Sequence, residues 1–390
     1  MELNLKIVAF RDAPGSLKDQ VLRKLEDDFP GIVFRIAEKD PDVICFASGG
    51  SEKEALSSLK EGRFCLLLAG EQNNAYAAAT EVKAWADNHK MCTRLVSMQR
   101  AKELYILEDL ARVINVRRQL AGQKAALIGE VSHWLVASSF PFSLARNRLG
   151  IEIVHLSWEQ LPDYFSCEPD AGFLETFKGY GHENLRNEAR VHAFLKKIIS
   201  DHQLSGITLE CFNMVKGRNV TACLSLSLIN SLGTVAACEG DLVSLVGMML
   251  LKDITGNMPW MANLASVQNN SLLFAHCTAP LNQLTDISIP THFETGKSAA
   301  VQGLLNMDEV TVFRLNASLD KVFISEGCIV AKPVHDFACR TQVEIELPES
   351  DHHLLRDHPL GNHHLIIPGK HKDSLSLQCQ YLGFSCHRPT

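Results

Sequence analysis

Residues 220–247 read VTACLSLSLINSLGTVAACEGDLVSLVG, and the nineteen residues from Val220 to Cys238 carry no charge. Glu239 and Asp241 then arrive together, with only Gly240 between them. The uncharged run approaches the length that spans a bilayer. Its Ser, Thr and Asn content argues instead for a buried helix followed by a strand, TVAAC, with LVSLVGMMLL as the next helix. The two acids therefore stand at the carboxyl end of a strand, where open α/β sheets bind their ligands.

Working outward, the same alternation continues on both sides. Strands KAALIG, GIEIVHLSW and GITLE precede the stretch, a helix runs from about His182 to His202, and the strand PWMANLASV follows. Residues 123–275 thus read as an α/β domain. Residues 1–122 read as another, with strands LKIVAF, GIVFRIA, DVICFAS, FCLLLAG and TRLVSM. Between these lie amphipathic helices, including AYAAATEVKAWADNH and a long one from Lys102 to Ala121. Apolar strands joined by helices indicate doubly wound parallel sheets covered on both faces. From His276 to residue 390 the texture changes to short alternating runs (EVTVFRL, KVFISEGCIV, CRTQVEIEL, HHLIIPG), while helical periodicity nearly vanishes. That pattern predicts a β-rich, antiparallel barrel-like C-terminal domain. The fold class is α/β, with two consecutive doubly wound domains and a β-rich third.

The 390 residues are 46% hydrophobic and 21% charged, with a net charge of -7, the composition of a soluble globular protein. With no Lys/Arg cluster, this balance argues against a nucleic-acid partner. No membrane segment or export signal is expected, and the location is expected to be cytoplasmic. The twelve cysteines show no CxxC pair or regular spacing and read as reduced thiols.

Several polar residues close apolar strands as Glu239 does. Glu210 closes GITLE, Asn263 closes PWMAN, and His276 closes SLLFAH. Further on, GNHHLIIPGKH places Asn362, His363 and His364 before a strand, in a stretch that also holds His352, His353, His358 and His371. Adjacent strand residues face opposite ways, so one of His363 and His364 at most enters a given site. Asp241 is placed to cap the following helix, a role that leaves Glu239 unexplained. Carboxylate oxygens with imidazole nitrogens suit a hard or borderline divalent cation, and no thiolate site is implied. His292 and Glu294 in THFETG share one face if extended. Arg340, at the start of a strand, and Lys216 could meet an anion. SGGSEKEA at 48–55 reads as a strand-to-helix turn and not a phosphate loop.

The set CEGD at 238–241, MAN at 261–263, AHC at 275–277 and NHH at 362–364, in this order, resembles the L-fucose and L-arabinose isomerase superfamily of metal-dependent aldose-ketose isomerases. It looks closest to a compact fucose isomerase-like branch. The resemblance implies two α/β domains and a β-rich third, and a cofactor, Mn²⁺ or another divalent cation such as Mg²⁺ or Co²⁺. It implies metal ligands Glu239, Asn263, His276 and His363, with Glu239 also exchanging a proton with substrate and Asp241 as the second catalytic carboxylate. Glu210, His364 and Arg340 are the weaker substrate candidates. The substrate is expected to be a small sugar, a hexose, a pentose or a modified sugar such as a sulfonated or deoxy one, converted through a cis-enediol. A homo-oligomer with active sites near subunit interfaces is expected as well. At position 263 the family places Asp or Glu; asparagine can offer an oxygen to a metal but cannot accept a proton at neutral pH. The alternative is therefore a sugar-binding homologue that is non-catalytic or has altered chemistry.

Overall fold

The computed structural model describes residues 1–181, 184–268 and 270–387. It divides into two compact units, Met1–Arg118 with Leu377–Phe384, and Gln119–Ser376 with the chain from Ser385 onward.

In the first unit β1 (Glu2–Val8), β2 (Val33–Ile36), β3 (Val43–Phe46), β4 (Cys65–Ala69) and β5 (Thr93–Ser97) form a parallel sheet in the order β2-β1-β3-β4-β5. The helices are α1 (Gly15–Asp28), α2 (Glu52–Leu56), α3 (Ala75–Asn88), α4 (Met98–Glu103) and α5 (Ile106–Leu120). Every residue of β3 and β4 is buried, as expected of central strands covered on both faces. The stretch read as one helix from Lys102 is broken at Tyr105, whose φ of 50° is left-handed; a non-glycine residue there cannot continue a right-handed helix. SGGSEKEA is the turn into α2, as the sequence suggests.

The second unit begins with β6 (Lys124–Ile128), α6 (Phe142–Leu149), β7 (Glu152–Leu156), α7 (Ala171–Thr176), α8 (Arg186–His202), β8 (Gly206–Leu209), α9 (Cys211–Arg218), α10 (Cys223–Ser231), β9 (Val235–Ala237) and α11 (Leu242–Thr255). Its four strands are parallel, in the order β7-β6-β8-β9. Residues 182 and 183, where the sequence reading starts α8, lie outside the described residues.

A closed antiparallel barrel follows, formed by β10 (Trp260–Val267), β11 (Leu272–His276), β14 (Glu309–Leu315), β15 (Lys321–Ala331), β16 (Thr341–Glu346) and β17 (His363–Pro368), in the order β14-β17-β10-β11-β16-β15 with β15 returning to β14. Beside it β12 (Leu284–Ser288) pairs with β13 (Gln302–Leu305), and β18 (Ser385–Cys386) adds to β15. Trp260, Phe274, Val312, Phe323, Val343 and Ile366 belong to one buried core. PWMAN and SLLFAH, read above as continuing the second α/β domain, belong to this barrel. Their misplacement has a physical cause: β11 is buried on both faces, so it reads like a parallel-sheet strand. Two helices also interrupt the β-rich region, α12 (Glu349–Asp357) and α13 (Lys372–Tyr381). In α12 the buried face includes His352 beside Leu354 and Leu355, and a histidine there blurs the apolar stripe that marks a helix.

Helix α11 joins the two layers. It packs on β8 and β9 on one side and on β14 and β17 on the other, and its residues from Leu242 to Leu251 are all buried. A helix enclosed on all sides is apolar all round, which explains LVSLVGMMLL. A Cβ at Gly247 would stand 2.8 Å from Leu365 of β17, so glycine permits this close approach. The start of α11 and the start of β17 are thereby brought side by side. Among the described residues no helix is long and apolar enough to cross a membrane.

Candidate metal centre and active site

The turn after β9 is built from two consecutive left-handed residues, Glu239 at φ 61° and Gly240 at φ 72°. A Cβ on Gly240 would lie 2.5 Å from the Glu130 carbonyl oxygen, so only glycine fits. For Glu239 the left-handed conformation costs on the order of 1–3 kcal/mol and persists because its surroundings hold it. The Ser132 N–H donates to the Glu239 carbonyl at 2.9 Å, and the Gly240 N–H donates to the Leu209 carbonyl at 2.9 Å. From this turn the Glu239 side chain reaches the barrel-strand residues His276 and His363.

There its Oε1 faces the Nε2 atoms of His363, at 3.6 Å, and His276, at 3.8 Å. These distances are too long for hydrogen bonds, and both Nε2 atoms are buried with no hydrogen-bond partner among the described residues. One donor atom from each of Glu239, His276 and His363 lies within 4.8 Å of the other two. The second Glu239 oxygen, Oε2, accepts the Trp134 indole N–H at 2.6 Å.

Each imidazole is fixed from behind. The Nδ1 of His276 is 3.0 Å from the Thr278 hydroxyl. The Nδ1 of His363 is 2.9 Å from Asp241 Oδ2; a carboxylate only accepts, so Nδ1 carries the proton and Nε2 is left to accept or ligate. Asp241 is wholly buried, and its Oδ1 caps α11 by accepting the Ser244 N–H at 2.6 Å. Its Oδ2 also meets the buried Arg314 guanidinium at 3.3 Å. Arg314 in turn donates to the hydroxyls of Ser244 at 2.9 Å and Ser138 at 3.0 Å. The carboxylate expected as a second base is thus fully engaged in orienting His363.

Burial works to raise the Glu239 carboxyl, but the close approach and charge of His363, with the charge of His276 and the Trp134 hydrogen bond, hold it at about 2. Asp241 is also pulled down: burial opposes ionisation there, and Arg314 and His363 outweigh it. Burial favours neutral His363, yet the two carboxylates beside it raise it to about 9. His276 is lowered to about 3 by burial and by the neighbouring His363. A proton on His363 Nε2 therefore occupies the place a cation would take. One carboxylate oxygen and two partnerless imidazole nitrogens fit a divalent transition ion.

The remaining expected residues are dispersed. Asn263 pairs directly with His363 across β10 and β17, so both point to one face, but its Oδ1 accepts the Asn362 amide at 2.5 Å. His364 turns into the barrel core against the rings of Phe274 and Phe323. Glu210 begins α9 and accepts from the Trp158 indole at 3.1 Å and the Glu130 N–H at 3.2 Å. It lines a cleft of about 340 Å³ with His133, Trp134, Phe212, Asn213 and Lys216, which Trp134 connects to Glu239. Arg340 donates to the Thr291 carbonyl at 2.7 Å and lies over the Phe293 ring. His292 is buried and pairs with Glu294 at 3.1 Å. His352 and His371 bond backbone carbonyls at 2.9 Å. A larger cleft, about 420 Å³, lies at the carboxyl edge of the first unit's sheet; its lining has one lysine, Lys24, and one acid, Glu71. The smaller cleft is the one that meets the Glu239 centre, through the Trp134 indole that lines it and donates to Glu239. Trp134 and Arg314 are not apparent as site residues in the sequence; the only signal is a lone arginine in the apolar strand EVTVFRL.

No family model matches the chain. Curated relatives named sulfoquinovose isomerase match it at 24% identity over 269 residues in Priestia aryabhattai and Priestia megaterium. Another of the same name, from Alkalicoccus urumqiensis, matches at 25% over 190 residues, covering 44% of this chain and 42% of the relative. In the two Priestia comparisons the match covers 63% of this chain and spans 59% of the relative's length. The relatives' names agree with the superfamily that the four motifs resemble.

Proposed function

We propose that the protein is a divalent-metal aldose-ketose isomerase working through a cis-enediol, with a sulfonated sugar as the first candidate among hexoses, pentoses and modified sugars. The observation that carries this reading is the meeting of Glu239 Oε1 with two buried, partnerless imidazole nitrogens. Similarity to sulfoquinovose isomerases supports the substrate class. Glu239, His276 and His363 would hold Mn²⁺, Mg²⁺ or Co²⁺, which when bound supplies stabilisation of the charge developing on an enediolate.

The protein's own groups do the rest. Glu239 is ionised at neutral pH and can take a proton from a sugar carbon and return it to the neighbouring one. Trp134 donates to its outer oxygen and fixes its direction. Asp241, backed by Arg314, holds His363 in the tautomer that ligates. Lys216 in the cleft offers a positive charge to an anionic substituent. The protein is taken to be cytoplasmic and a homo-oligomer with sites near subunit interfaces, on the strength of the resemblance; light scattering measures the assembly.

Incubation with Mn²⁺ and a panel of aldoses, sulfoquinovose included, in D₂O tests the reading: solvent deuterium should enter C1 or C2 of a substrate. Glu239→Gln should abolish that exchange, and appreciable residual exchange would assign the base elsewhere. The second reading, a sugar-binding homologue that is non-catalytic or has altered chemistry, is favoured by Asn263, which cannot relay a proton and whose oxygen is engaged by Asn362. Calorimetric sugar binding without deuterium entry would support it and sink the isomerase.

A further inference from the structure

Five cysteines that are far apart in the sequence gather close together in the second unit. Cys211 and Cys238 have sulfurs 3.2 Å apart, and so do Cys223 and Cys277. Cys223 opens α10, Cys277 follows β11, and His292 lies in the segment leading to β13; all three are buried. One donor atom from each of Cys223, Cys277 and His292 lies within 4.8 Å of the other two. Cys339, just before β16, is in hydrogen-bonding contact with Cys277 and donates to Glu294 Oε1 at 3.3 Å. Glu294 also pairs with His292.

We propose that Cys223, Cys277 and His292, with Cys339 completing the set, form a second metal site that takes Zn²⁺ in a structural role. Thiolates with imidazole select zinc, and Cys₃His is a closed tetrahedral set without an open position for substrate. At Zn–S distances of about 2.3 Å, tetrahedral sulfurs stand roughly 3.7–3.8 Å apart. The observed 3.2 Å between Cys223 and Cys277 therefore needs to open by only about half an ångström. Buried thiols in a core are ordinarily small hydrophobes; what separates this group from them is the histidine among the sulfurs and the origin of the four residues on four separate segments. An ion there would pin the start of α10, the end of β11, the 292 segment and the entry to β16. Cys277 directly follows His276, so this clamp also holds the strand end that carries one imidazole of the centre at Glu239. The site differs from that centre in its soft sulfur donors, and it does not depend on the isomerase reading.

The test uses the full chain loaded with Co²⁺, which shows thiolate-to-metal charge transfer in the near ultraviolet only when sulfur ligates, together with elemental analysis after zinc loading. The wild type should show the band, and one equivalent of its bound metal should depend on the thiolates whether or not the centre at Glu239 also binds. Glu239→Gln should keep the band. The double variant Cys223→Ser, Cys277→Ser should lose the band and one equivalent. If the double variant does not fold by circular dichroism, His292→Ala decides through at least tenfold weaker zinc retention against a chelator, with the band shifted or lost. A saturated wild type without the band, a band surviving in the double variant, or unchanged zinc retention in His292→Ala overturns the proposal.

Discussion

Position 263 decides how far the charge of the centre departs from that of the superfamily it resembles. Asn263 lies opposite His363 on the adjacent strand, so Asn263→Asp would bring a carboxylate to the face that carries one imidazole. It should tighten Mn²⁺ binding by about tenfold or more, the scale of changes at or just behind a metal. A calorimetric titration that does not move would place the residue out of reach of the ion. Asp241 differs from a helix cap in its second oxygen, which holds His363. Asp241→Asn should weaken Mn²⁺ binding by about 10–100-fold. A loss of thermal stability with unchanged metal affinity would reduce it to a cap.

At the scale of the element, the CEGD turn converts a buried strand into a helix start while aiming an acid sideways. Gly240→Ala meets both a left-handed φ and a carbonyl oxygen 2.5 Å away, so the turn must shift. Expected is a loss of at least about 1–3 kcal/mol in denaturant unfolding, with metal affinity falling as Glu239 moves. Unchanged unfolding would mean that the turn tolerates a Cβ. Strand-turn-helix order, the cap at Asp241 and the opposite facing of His363 and His364 are all legible in the sequence, because they follow from local periodicity. The membership of β10 and β11 in the barrel is not, since β11 and the first three residues of β10 are fully buried, and a run buried on both faces carries no mark of its partners. The break at Tyr105 and helix α12 escape for the same kind of reason: a left-handed tyrosine and a buried histidine are chosen by surroundings, not by propensity.

Across the whole molecule, buried neutral histidines make stability depend on pH. Burial lowers His192 to about 4, where its ring packs on Phe173. His364 in the barrel core is lowered to about 3 by burial and by Arg314. The unfolded chain takes up these protons near pH 6.5, before the folded one does. The contribution of these two rings to stability is therefore fully present above about 6.5 and falls as the pH drops toward 4 and 3. Thermal midpoints measured from pH 7 to 4 should decline steadily, and His192→Phe should flatten part of the decline. A flat profile across that range would show that the core admits the charged rings.

The order of motifs, the fold class and Glu239 and His276 as polar residues closing apolar strands were set by the chain alone, because each depends on residue type and short-range spacing; the preference for His363 over His364 came from the family resemblance. Only the tertiary structure decided that α11 lies between sheet and barrel and so brings Glu239 to two imidazoles more than thirty residues away in sequence. The same packing brought Arg314 behind Asp241 and drew the scattered cysteines together. Those meetings depend on which apolar faces cover one another across the fold, and separation along the chain carries no record of that.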